Sequence, residues 1–247
     1  MPTVILVRHG RSSANATGVL AGRLPGVHLD ETGVRQAVAV GERLAGVRLA
    51  AAVTSPLERC RETCKEITGR QGASLRAGTD KQLSECDYGE WQGRPLKELA
   101  REKLWKTVQA QPSAATFPGG ESMRAMQDRA VAAVRRHDAR IAAEHGEGAV
   151  WLAVSHGDVI KSILADALGT HLDLFQRIHV DPGSVSIIRY GDTRPFVLGT
   201  NTHGGDLSWL TPVARSRRRS PRTTRTDAEV GGGAGPGTPA QAQPPRS

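Results

Sequence analysis

Short apolar runs alternate with stripes of apolar residues at helical spacing along most of the chain. Val4-Ile5-Leu6-Val7 is a mostly β-branched run that stops at Arg8-His9-Gly10, as expected of a buried parallel strand. Val34, Ala37, Val38, Gly41 and Leu44 then recur at helical spacing, which predicts a helix over about 31–45. Ala51–Thr54 reads as a second strand running into Ser55-Pro56, where Ser should cap and Pro should open a helix reaching about Thr68. A weak strand near Ser74–Ala77, a loop over Leu83–Trp91 and a helix over 95–108 follow. After a loop containing Phe117-Pro118-Gly119-Gly120, a long helix over 121–145 aligns Met126, Ala130, Val134, His137 and Ile141 on one face. Ala149–Val154 is the most apolar strand; it ends in Ser155-His156-Gly157-Asp158 and gives way to an apolar helix reaching Leu168. Val185–Tyr190 and Phe196–Thr200 form a predicted hairpin around Gly191-Asp192. The alternation predicts an α/β fold with a largely parallel sheet.

Composition divides the chain. Its 247 residues are 38% hydrophobic, enough for one sizeable core, but from Thr211 onward almost nothing can be buried. The expected organisation is a single domain over 1–210 and a disordered, basic, Gly/Pro-rich tail over 211–247. Seven of the arginines lie in that tail against Asp227 and Glu229, so five of the eight net positive charges belong to it. The basic charge therefore implies at most weak, salt-sensitive contact of the tail with polyanions, not a folded surface for specific nucleic acid. No leader-like or bilayer-length apolar segment is present, which predicts a cytoplasmic protein without membrane contact. Three cysteines argue against a disulfide framework. Cys60 and Cys64 fall one turn apart, but no further Cys or His accompanies them at metal-ligand spacing, so packed thiols are expected. His137, His145, His171 and His179 read as packed or surface histidines.

Three strand ends deliver polar groups: Arg8-His9, Arg59 just past Thr54, and His156. Parallel strands share a direction, so these groups converge on one sheet edge, where open α/β sheets place their ligands. Two arginines, two imidazoles, Asn15 and the helix N-termini near Pro56 and Gly157 suit a dianionic phosphoryl group without a metal. A neutral imidazole attacks phosphorus well, and flanking arginines favour its neutral form; His9 fits that role. A leaving alkoxide needs a proton, and a carboxyl beside a dianion has its pKa raised; Glu85, in a Gly-bounded loop, is the candidate.

Val7-Arg8-His9-Gly10 with Ser12 and Asn15, Thr54-Ser55-Pro56-Leu57-Glu58-Arg59, Leu83-Ser84-Glu85 with Gly89, Trp91 and Gly93, and Val154-Ser155-His156-Gly157 together resemble the four signatures of the histidine phosphatase superfamily, the phosphoglycerate-mutase-like group. The resemblance spans about 3–200. It implies a three-layer α/β/α sandwich with a mostly parallel central sheet, a phosphohistidine intermediate on His9, and Glu85 as proton donor. It further implies a phosphate held by Arg8, Arg59, His156 and Asn15, with Gly22 and Gly157 also lining the substrate site, and neither metal nor other cofactor. Arg11, Ala21 and Leu29-Asp30 depart from the family pattern at positions expected to border the entrance. The expected function is a phosphomonoester phosphatase acting on a small phosphorylated substrate. The alternatives are a 2,3-bisphosphoglycerate-dependent phosphoglycerate mutase and a non-catalytic module binding a phospho-ligand or polyanion. Tyr88-Gly89 suits a mutase, but Arg94 and Arg101 are not an adjacent pair, and Pro118-Gly119-Gly120-Glu121-Ser122 looks more like the phosphatase branch. Substrate identity and oligomeric state stay open.

Overall fold

The computed structural model describes residues 2–71, 75–207 and 210. The expected tail over 211–247, and Ser74 of the expected weak strand, lie outside the described residues. Six strands, β1 (Thr3–Arg8), β2 (Leu49–Thr54), β3 (Ala77–Thr79), β4 (Val150–Ser155), β5 (Val185–Tyr190) and β6 (Pro195–Thr202), form one sheet in the order β3-β2-β4-β1-β5-β6. β3, β2, β4 and β1 run parallel, while β5 is antiparallel to β1 and forms the expected hairpin with β6.

Alternation along β1 fixes the layers, because successive side chains leave a strand on opposite faces. Val4 and Leu6 join the core beneath α6 (Met123–His145) and α7 (Gly157–Ala167). Ile5 and Val7 join the core beneath α2 (Glu31–Leu44) and α3 (Glu58–Thr68). All four residues are fully buried. The result is the expected α/β/α sandwich, with β1 and β4 at its centre and their C-terminal ends, Arg8 and Ser155, side by side.

Several local expectations shift. Along α2 the buried stripe is Gly33, Ala37, Val40, Gly41 and Leu44, whereas Val34 is exposed. Gly33 packs so closely on the loop after β1 that a Cβ there would stand 1.9 Å from the Arg11 carbonyl oxygen, and this contact turns Val34 outward. α3 begins at Glu58, not at Pro56, and the Ser55 hydroxyl does not cap it, being engaged by His156 at 2.8 Å. The expected 95–108 helix breaks into α4 (Leu96–Leu99) and α5 (Lys103–Ala110), which complete the set with the short α1 (Ser13–Thr17). At 100° per residue a straight helix would set Leu99 and Leu104 about 140° apart. The break lets both meet the same core, with Trp105 stacked on Trp91. Among the described residues no helix is long and apolar enough to cross a membrane.

Candidate active site

A cavity of about 260 Å³ opens at the C-terminal ends of β1 and β4. Arg8, His9, Asn15, Gly22, Arg59, Glu85 and Gly157 line it, and His156 lies fully buried at its base. The structure thus brings together all eight residues singled out from the sequence.

His9 leaves β1 into a loop that needs Gly10, since a Cβ at position 10 would stand 2.3 Å from the Gly33 carbonyl oxygen. The His9 Nδ1 donates to the Gly10 carbonyl at 2.7 Å, which leaves Nε2 as the basic nitrogen, 3.3 Å from the Nε of Arg59. Arg59, buried in the first turn of α3, also donates from Nη2 to the Gly22 carbonyl at 2.8 Å and to His156 Nδ1 at 3.2 Å. His156 in turn donates from Nε2 to Ser55. Gly157 lacks a side chain where the Arg8 guanidinium passes; a Cβ there would lie 3.3 Å from its Cζ. Arg8 Nη1 donates to the Val180 carbonyl at 2.7 Å. Asn15 is oriented by Ser12, whose backbone N–H and hydroxyl both donate to its Oδ1. From the start of α3 only Arg59 lines the cavity, whereas the start of α7 places Gly157 and Asp158 in its wall.

Burial lowers the proton affinity of His9 well below the ordinary imidazole range, and Arg59 and Arg8 add to the effect. His156 is lowered likewise by burial, then by Arg59, His9 and Arg8. Both rings are therefore neutral near pH 7. Glu85 moves the opposite way: burial, then the Asp158 carboxylate, pushes its pKa up to about 7 against the pull of the Cys86 N–H and the two arginines. Its Oε2 stands 4.0 Å from His156 Nδ1. Two guanidinium donors at this site, Arg8 Nε and Arg59 Nη1, are buried with no hydrogen-bond partner among the described residues. Leaving such a donor unmade costs about 1–3 kcal/mol, more when charged, so the site is shaped for acceptor oxygens.

The cavity also contains residues that the sequence did not mark as functional. Asp158, in the first turn of α7, accepts from the Tyr88 hydroxyl at 2.8 Å and lies 3.6 Å from the Lys161 Nζ. Val19, Leu20, Leu96 and Val180 supply an apolar wall, and His179 reaches the rim. Of the departures from the family pattern, Ala21 lines the cavity; Arg11 and Asp30 do not, and instead pair with each other at 2.6 Å. Cys60, Cys64 and Cys86 are buried free thiols, and burial pushes Cys64 up to about 12 and the other two higher still. Among the described residues no three His, Cys, Asp or Glu side chains gather as metal ligands.

A six-stranded mixed sheet between two helical layers, with a cavity lined by Arg8, Arg59 and Lys161 at its edge, defines the phosphoglycerate-mutase-like α/β class. The sequence model of the histidine phosphatase superfamily (branch 1) matches residues 4–203, and the chain belongs to that superfamily. A Mycobacterium tuberculosis protein described as bifunctional is 35% identical over 190 residues, 76% of this chain and 50% of its own; the chain spans about half the length of that relative. A 2,3-bisphosphoglycerate-dependent phosphoglycerate mutase of Brucella anthropi is 33% identical over 199 residues, 72% of this chain and 93% of its own. Among solved structures, YhfR of Bacillus stearothermophilus superposes with a TM-score of 0.73 at 29% identity, covering 85% of this chain and 100% of that one. The alpha-ribazole phosphatase of Shigella flexneri superposes at 0.69 and 25% identity, covering 81% and 96%.

Proposed function

We propose that the chain is a phosphomonoester phosphatase that transfers a phosphoryl group to His9 and then to water. The observation that carries this reading is the pair of buried, unpartnered guanidinium donors of Arg8 and Arg59 beside the neutral Nε2 of His9. Arg8, Arg59, Asn15 and the backbone at Gly157 receive the phosphate oxygens, and His156, whose Nε2 serves Ser55 and whose Nδ1 accepts from Arg59, steadies the Arg59 guanidinium beneath them. His9 Nε2 forms the new N–P bond as the ester P–O bond breaks, and the Glu85 proton passes to the leaving oxygen. A water then attacks phosphorus, the ionised Glu85 takes its proton, the N–P bond breaks, and inorganic phosphate leaves.

Hydrolysis is favoured over mutase chemistry because the cavity offers one free anion cradle. Lys161 donates to the Gln176 side chain at 3.0 Å and lies 3.6 Å from Asp158, and His179 pairs with Asp181. Arg94 is paired to Glu102 at 2.7 Å, and neither it nor Arg101 lines the cavity. Beyond the phosphate end Val19, Leu20, Leu96 and Val180 stand beside Tyr88, Asp158, Lys161 and His179, and the Asp158 carboxylate among them disfavours a second strong anion on the leaving group. The likeness to the Brucella mutase favours the second reading, mutase activity. Incubation with p-nitrophenyl phosphate and with 3-phosphoglycerate separates the two. With 2,3-bisphosphoglycerate present to prime a mutase, release of inorganic phosphate from the aryl ester, without isomerisation of phosphoglycerate, is the expected result; isomerisation outpacing release would establish the mutase, and neither reaction would contradict the phosphatase reading. Since Arg8 and Arg59 offset the phosphate charge, exhaustive chelation with EDTA should leave turnover intact, and a loss that magnesium or zinc restores would refute the mechanism.

The pH profile follows from the two proton requirements. The substrate binds as a dianion, formed above its second pKa of about 6. Glu85 must be protonated, and it loses its proton as pH rises through about 7. The quotient kcat/KM should therefore peak between these values and fall on the alkaline side. Asp158→Asn removes a like charge that raises Glu85, so the alkaline limb should move to lower pH. An alkaline limb unmoved in Asp158→Asn would separate Asp158 from the titrating acid.

A further inference from the structure

The segment from Glu85 to Tyr88 lies outside any helix or strand, and locally the Glu85 carboxylate is tied only by the Cys86 N–H at 2.9 Å. From outside the loop, two guanidinium groups converge on the Glu85 carbonyl oxygen: Arg23 Nε at 2.9 Å and Arg129 Nη2 at 3.0 Å. Arg129, on α6, also donates to the Gln82 carbonyl at 2.6 Å and to both carboxylate oxygens of Glu121, at 2.6 and 2.9 Å. Glu121 completes the figure by accepting from the Asp87 N–H and from Arg23 Nη2, both at 2.8 Å. Burial pushes the Glu121 carboxyl up, but Arg129, the Asp87 N–H and Arg23 outweigh it and keep it ionised. The loop can lie this close because Gly89 (φ 52°) and Gly120 lack side chains; a Cβ on either would meet backbone at 2.0 or 2.2 Å.

Arg23 directly follows Gly22, whose carbonyl holds Arg59. One peptide thus joins the phosphate end of the cavity to the acid loop. We propose that Arg23 and Arg129, braced by Glu121, are positioning residues that set the distance between the phosphate cradle and the Glu85 carboxyl. The inference rests on the assignment of Glu85 as proton donor above. Neither arginine lines the cavity, so their effect reaches the reaction through Glu85.

Two variants test it. Arg129→Lys keeps a cation beside Glu121, but one ammonium cannot serve both carbonyls and both carboxylate oxygens. Arg23→Met, at a position whose side chain is 34% exposed, removes the other donor with little loss of packing. Rapid-quench burst rates are compared for an alkyl ester, phenethyl phosphate, and an aryl ester, p-nitrophenyl phosphate. Misplacing the acid harms the ester that needs its proton, so the alkyl burst should fall about 10-fold or more and the aryl burst less than about 3-fold. Equal losses on both esters, or no loss on either, would overturn the proposal. Glu85→Gln is run beside them. If it splits the two esters while the arginine variants do not, the positioning role alone falls; if it does not split them, the acid assignment falls and the positioning role with it.

Discussion

His9→Ala is expected to abolish phosphate release, by at least about 10⁴-fold, and to abolish covalent labelling with it. The reason is geometric. Nδ1 is committed to the Gly10 carbonyl, so the basic lone pair is on Nε2, which lines the cavity and accepts a long hydrogen bond of 3.3 Å from Arg59 Nε. The other buried imidazole cannot replace it: His156 is fully buried and off the cavity lining, with Nε2 donating to Ser55. Cys60, the buried thiol nearest those rings, touches His156 at 3.4 Å, but burial pushes its pKa far above neutrality, so the thiolate needed for attack is absent. Phosphate affinity should survive in His9→Ala, because the arginines remain. Inhibition constants for inorganic phosphate in wild type and variant check that part, and persistent turnover would transfer the nucleophile's role to another group.

The second large effect belongs to Glu85→Gln. The amide keeps the shape of the carboxyl and its contact with the Cys86 N–H but carries no transferable proton, so hydrolysis of alkyl phosphates should fall by about 10²- to 10⁴-fold. An aryl phosphate departs as a weakly basic phenolate and needs less help, so its burst should fall much less. Water attack on the phosphoenzyme also loses its base, which slows steady-state turnover for both esters; the burst phase isolates the first step. The alkaline limb of kcat/KM should vanish in this variant. An equal fall in burst rate for both esters would remove Glu85 from the acid's role. Glu121 is not a substitute, since Arg129, Arg23 and the Asp87 N–H hold it ionised and away from the cavity.

How legible this was in the chain depended on the kind of signal. β1, β2 and β4 are short apolar runs that end in chemistry, so Arg8, His9 and His156 announced themselves, and parallel strand direction brought them together. Glu85 was legible as an acid in a Gly-bounded loop. Asp158 was not, because an acidic residue in the first turn of a helix has an ordinary reading as a complement to the helix dipole. Its place in the cavity wall, its contact with the Tyr88 hydroxyl and its effect on Glu85 emerge only from the fold. The Arg23, Glu121 and Arg129 cluster was invisible for a different reason: its members are far apart in sequence and follow no period, so nothing local predicts their meeting. Arg11 and Asp30 looked like two separate departures from the family pattern and prove to be one ion pair set away from the cavity. The break between α4 and α5 escaped because the apolar residues of 96–108 fit a helical period locally, and only the position of the shared core decides against a straight helix.

The central claim is a covalent phosphoryl group on one nitrogen of one residue. The most direct measurement mixes the protein with p-nitrophenyl phosphate, quenches it in alkali within milliseconds, and maps the phosphorylated peptide by mass spectrometry. An alkali-stable, acid-labile phosphoryl group is expected on the peptide containing His9, appearing with the nitrophenol burst and decaying at the turnover rate. A burst without that adduct, or an adduct on any other residue, would contradict it.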